Sequence, residues 1–69
     1  MSDLTKVTFN LPNNELEALR SLAARRGSTV TSTLRKAIDT EVFLDEQERK
    51  GAKILIEEPN GTFSRVIRR

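Results

Sequence analysis

Few side chains in this 69-residue chain can do chemistry, and their spacing limits what they can be. Glu41, Asp45 and Glu48 stand at i, i+4 and i+7, which on a helix lines three carboxylates along one face. Such a row could hold a hard cation, but no carbonyl or loop ligands lie nearby, so a solvated acidic face is the better reading. Glu57 and Glu58 are neighbours; on a strand they point to opposite sides and cannot work as a carboxylate pair. Histidine and cysteine are both absent. That excludes disulfides and thiolate zinc sites, and removes the commonest metal ligand and general base. The serines and threonines have no base to activate them. The sequence points to no enzyme, no metal and no cofactor.

What remains is the chemistry of recognition. In "KVTFNLP", residues 6–12, Lys6, Thr8 and Asn10 alternate with Val7, Phe9 and Leu11 before Pro12 ends the run. This is the two-residue period of a strand with one polar and one apolar face. The polar trio suits base edges: Lys donates to guanine O6/N7, Asn pairs bidentately with adenine, and a Thr methyl meets a thymine methyl. Alternation alone fits the wet face of an ordinary strand better. The elements that follow must decide.

After Pro12, "NNELEALRSLAARRG" predicts a first helix over 14–26. Asn13 or Asn14 can cap it, Glu15 and Glu17 suit its positive end, and Leu16, Leu19, Leu22 and Ala23 recur on one face. Arg25 and Arg26 suit the last turn, and Gly27 supplies a left-handed stop. A second helix follows, with Thr29 as N-cap, Val30 and Thr31 in its first turn, and Gly51 at its end. Leu34, Ala37, Ile38 and Val42 trace its buried stripe, with Leu44 or Asp45 extending it. Asp45 with Arg49 and Glu46 with Lys50 are i,i+4 pairs in the favourable order. The tail "KILIEEPNGTFSRVIR" reads as a hairpin around Asn60-Gly61. If those two residues form the loop, Ile54, Ile56, Phe63 and Ile67 share one face. If Pro59-Asn60 begins a longer bulged turn, both faces become half apolar.

The order is therefore strand, helix, helix, hairpin, and the first strand needs a partner. A chain this small rarely builds a sufficient core alone, and without disulfides or a metal a second subunit is the remaining staple. The tail hairpin could accept the strand as a third member, giving an α+β monomer. The simpler solution is two strands from two subunits, antiparallel about a two-fold axis, pooling their apolar faces. The outer side of that ribbon shows Lys6, Thr8 and Asn10 twice, and a two-stranded ribbon fits the major groove of B-DNA. Charge is distributed accordingly: residues 1–36 carry a net +3, 37–58 a net −4 and the last eleven +3. A basic front half suits an anionic partner.

"KVTFNLP", the capped helix ending in Gly27, and "STVTSTLRKAI" together resemble the ribbon-helix-helix superfamily of bacterial DNA-binding proteins, to which Arc and MetJ belong. The resemblance covers about residues 5–48. It implies a mainly α fold with a short N-terminal strand, forming an intertwined homodimer whose intermolecular antiparallel β-ribbon enters the major groove. Lys6, Thr8 and Asn10 match the family's base-reading positions. Gly27, Ser28, Thr29, Val30 and Thr31 match its "G-x-S/T-x-S/T" stretch, so Ser28, Thr29, Val30 and Thr31 are expected to hold a DNA phosphate. Elementary electrostatics agrees, because free N–H groups and the positive dipole end attract anions there. Residues 1–50 are then the DNA-binding and dimerisation domain. The C-terminal β-hairpin extension, 51–69, inherits nothing from the resemblance.

The expected function is a sequence-specific, DNA-binding transcriptional repressor acting as a homodimer, with neighbouring dimers assembling cooperatively. The alternative is an antitoxin that autoregulates its operon and binds a toxin protein through the C-terminal hairpin. An adaptor without a nucleic-acid role, and a helix-turn-helix built from "AARRGSTVTSTLRKAI", rank below both; the latter leaves the strand unemployed. "MSDLTK" carries an acid where a signal peptide is basic, and the longest apolar runs are "VFL" and "ILI". The expectation is a cytoplasmic protein without a membrane partner.

Overall fold

The computed structural model describes residues 3–68. It is a small, mainly helical protein with two helices, α1 (Asn13–Arg25) and α2 (Val30–Arg49), and two strands, β1 (Leu55–Glu57) and β2 (Phe63–Arg65). The chain divides into two compact units, Met1–Leu34 and Arg35–Arg69, with the division inside α2.

In the first unit, α1 begins one residue earlier than the sequence suggests, and neither Asn13 nor Asn14 caps it. Pro12 takes the N-cap position with φ −55° and ψ 145°, and no side chain bonds there. Its carbonyl accepts from the N–H groups of Glu15 (3.0 Å) and Leu16 (3.1 Å). The proline ring imposes the φ that an entry residue needs, and its missing N–H costs nothing outside the helix. The asparagines are thereby pushed into the first turn.

The end of α1 follows expectation. Arg26 (φ −93°, ψ 0°) is the C-cap and Gly27 turns left-handed at φ +59°. The Ser28 N–H then donates to the Ala23 carbonyl (2.9 Å) and the Gly27 N–H to Ala24 (3.1 Å). These are the paired 6→1 and 5→2 bonds of a Schellman motif, which satisfy carbonyls the helix leaves open. The same motif closes α2: Ala52 donates to Gln47 (3.0 Å) and Gly51 to Glu48 (2.9 Å). Thr29 caps α2 as expected, its Oγ1 accepting from the Ser32 N–H at 3.0 Å.

Burial departs most from expectation. Among the described residues only Ala23 (3 % exposed) and Thr33 (2 %) are buried, one on each side of the Gly27 turn. Leu16, Leu19, Leu22, Val30 and Leu34 are half-buried. Most of the remaining α2 stripe is open: Ala37 is exposed, Ile38 (54 %) and Val42 (52 %) are more than half accessible, and only Leu44 at its far end is half-buried. The periodicity is present, but one chain supplies nothing to cover it.

In the second unit, β1 and β2 pair antiparallel, with Leu55 opposite Arg65, Ile56 opposite Ser64 and Glu57 opposite Phe63. The ladder continues through Glu58 N–H to the Thr62 carbonyl (2.7 Å) and Val66 N–H to Ile54 (2.9 Å). Glu58 and Thr62 therefore flank a three-residue loop, Pro59-Asn60-Gly61, closed by the Gly61 N–H donating to Glu58 (2.8 Å). Gly61 has φ +88°, the positive-φ bulge position of such a loop. Asn60 Oδ1 accepts from both the N–H (3.1 Å) and the hydroxyl (2.7 Å) of Thr62, fixing the turn. This is the longer of the two registers open in the sequence. Ile54, Ile56 and Val66 fall on one face, Leu55, Phe63 and Ile67 on the other, so the single apolar face of the shorter register does not form.

Among the described residues the sheet has two strands. Residues 3–11 form no helix or strand, and among the described residues no backbone hydrogen bond reaches them.

Candidate functional site

The segment leading into α1 is the first part of the site. Pro12 restrains Leu11 to extended backbone, so the run before it enters the helix directly. Lys6, Thr8 and Asn10 are exposed. The opposite face is exposed as well: Val7 is 70 % accessible and Phe9 57 %. Leu11, nearest the helix, is half-buried. Among the described residues the segment thus has no backbone partners, and it holds Val7 and Phe9 in water. Burying them is worth roughly 1.5–3 kcal/mol per side chain.

The second part is the turn between the helices. Ser28 is half-buried and its N–H is spent on the Ala23 carbonyl. Thr29 is exposed; its Oγ1 caps Ser32, and its carbonyl accepts both the N–H (3.0 Å) and the hydroxyl (2.8 Å) of Thr33. Val30 is half-buried and Thr31 exposed. Among the described residues the Val30 and Thr31 N–H groups have no intrachain partner. They are the donors that an anion at this helix start would meet. Arg25 and Arg26 are exposed beside the turn. Of the four expected phosphate contacts, then, Val30 and Thr31 keep free N–H donors, while the N–H of Ser28 is committed to holding the turn. Thr33, buried at the fourth position after the cap, was not a candidate from sequence. Its only local signal is a hydroxyl placed to back-bond the Thr29 carbonyl.

The acidic row of α2 divides between two arginines. Asp45 takes the Arg49 side chain (Nε at 3.0 Å, Nη2 at 2.9 Å), the expected i,i+4 pair. Glu41 and Glu48 are instead bridged by Arg68 from the tail, through Nη2 to Glu41 and through Nη1 at 3.3 Å to Glu48. Glu41 and Asp45 stay exposed while paired, and Glu48 is half-buried. Nothing local announces the bridge, because Arg68 lies 27 residues beyond Glu41.

Among the described residues no helix is long and apolar enough to cross a membrane. No family model, curated protein or solved structure matches this chain.

Proposed function

We propose that the protein is a homodimeric, sequence-specific DNA-binding repressor that reads the major groove with a β-ribbon formed by residues 6–11 of two copies. The observation that carries this reading is the N-terminal segment: alternating, unpaired along its backbone, and exposed at Val7 and Phe9. Pairing it with a second copy satisfies its N–H and C=O groups and gives Val7, Phe9 and the open Ile38–Val42 face of α2 a place to bury. Lys6, Thr8 and Asn10 of both copies then face outward together. Val30 and Thr31 hold a phosphate through their free N–H groups, which sets the ribbon's depth and direction without reading sequence. Residues 1–50 suffice for this activity, and bound dimers block a promoter.

The test is selection of bound sequences from a random duplex pool at physiological salt. A defined motif is expected. In the Thr8→Ala/Asn10→Ala variant, still folded and dimeric, affinity for that motif should fall by about 1–3 kcal/mol per lost bidentate contact. No enriched motif, or unchanged affinity and preference in the variant, overturns the reading.

A toxin-neutralising role for the same fold draws support from the outward Leu55 (53 %), Phe63 (63 %) and Ile67 (73 %) of the hairpin. A toxin-like gene beside this one favours it, and a solitary gene counts against it.

A further inference from the structure

A two-stranded hairpin is marginal in water by itself, and here each strand has three residues and no third strand joins them. Its apolar groups are mostly open: Leu55, Ile56 and Phe63 are at least half accessible. Something beyond its own ladder has to order it. Three residues after β2, Arg68 is the exception among the described polar side chains of the tail, only 15 % exposed. Its guanidinium spans Glu41 and Glu48, two turns apart on α2. Nη1 is buried and makes no hydrogen bond, although it lies 3.3 Å from the Glu48 carboxylate. That end of the side chain meets Glu48 as an ion pair. Leu44, three residues after Glu41 and four before Glu48, lies on the same helix face. It is half-buried, whereas Ile38, Val42 and Phe43 are exposed.

We propose that Arg68 is an electrostatic strap: clasped by Glu41 and Glu48, it keeps the tail hairpin ordered, and ions release it. Charge is the operative quantity because the two acids are 69 % and 34 % exposed and therefore open to screening. The hairpin then behaves as a salt-responsive element, ordered when the strap is closed and frayed when competing ions occupy its partners. The inference rests on residues 35–68 and is independent of the DNA-binding reading.

Amide hydrogen exchange on the full chain tests it. The Glu58 and Val66 N–H groups, which bond to Thr62 and Ile54, report the hairpin, and the interior amides of α1 serve as reference. Arg68→Gln should speed exchange at Glu58 and Val66 by roughly fivefold, the upper range of an accessible ion pair, with α1 unchanged. The triple variant Arg68→Glu/Glu41→Lys/Glu48→Lys should restore protection, because charge and not residue identity closes the strap. Wild-type protein taken from about 0.1 M to about 1 M NaCl, which shortens the screening length from about 10 Å to about 3 Å, should reproduce the Arg68→Gln effect. Unchanged hairpin protection in Arg68→Gln, no recovery in the triple variant, or loss of protection spreading into α1 would each overturn the strap. The salt titration decides the matter if a variant fails to fold.

Discussion

Residues 6–11 and residues 54–66 have similar β-forming chemistry and opposite fates. Both contain alternating or clustered Val, Leu and Phe, with Ile added in the tail, and both follow or precede a helix closely. The tail carries its own turn, Pro59-Asn60-Gly61, so the second strand returns to the first within three residues and the backbone groups are satisfied locally. The front segment runs straight into Pro12 and has no turn, so its N–H and C=O groups stay unpaired. Strand propensity is therefore not what separates them. The presence of a reversal within reach is.

That contrast can be broken experimentally, beginning where the effect is greatest. If the front segment is completed by a second copy, Phe9→Ala removes a ring that dimerisation buries and should cost about 3–5 kcal/mol. Urea unfolding at fixed protein concentration, with sedimentation to follow the monomer, reads this; an unchanged midpoint would mean the segment has no partner. Gly61→Ala places a Cβ on a residue held at φ +88° and should cost about 1 kcal/mol or more, confined to the hairpin. Exchange at the Val66 amide measures it. Phe63→Ala, by contrast, trims a side chain already 63 % exposed and should stay within about 0.5 kcal/mol. A larger loss from Phe63 in the unfolding midpoint would show that the tail, like the front, is covered by another molecule.

Local signals carried most of the fold. Gly27, Gly51, Thr29 and Asn60-Gly61 act through their own φ preference or side-chain oxygen, and each sits where its chemistry demands. Asn13 and Asn14 misled because Pro12 competes for the same capping position with a ring that already has the required φ. The hairpin register was ambiguous because Asn-Gly serves both a two-residue loop and the end of a three-residue one. Resolving it needs the Glu58–Thr62 pairing, which is a property of both strands together. The stripe on α2 was legible as a period and illegible as burial: Ile38 and Val42 show which face wants covering and say nothing of what covers it. Arg68 was invisible for a different reason. An ion pair closing over 27 residues leaves no mark in any short window. For the candidate site, alternation marks Lys6, Thr8 and Asn10 as one face, but within one chain Val7 and Phe9 are exposed as well. The division of labour around Ser28–Thr31 emerged only from where each N–H is spent.

Pro12 joins the extended run directly to α1. It ends the extended run and at the same time supplies the first carbonyl of α1, accepting from Glu15 and Leu16. Between Asn10 and the helix stands only Leu11, which the proline after it restrains to extended backbone, so the direction in which the segment leaves α1 is set at that one residue. Inserting one glycine between Leu11 and Pro12 would put a hinge there, leaving both arms intact while uncoupling the aim of one from the other.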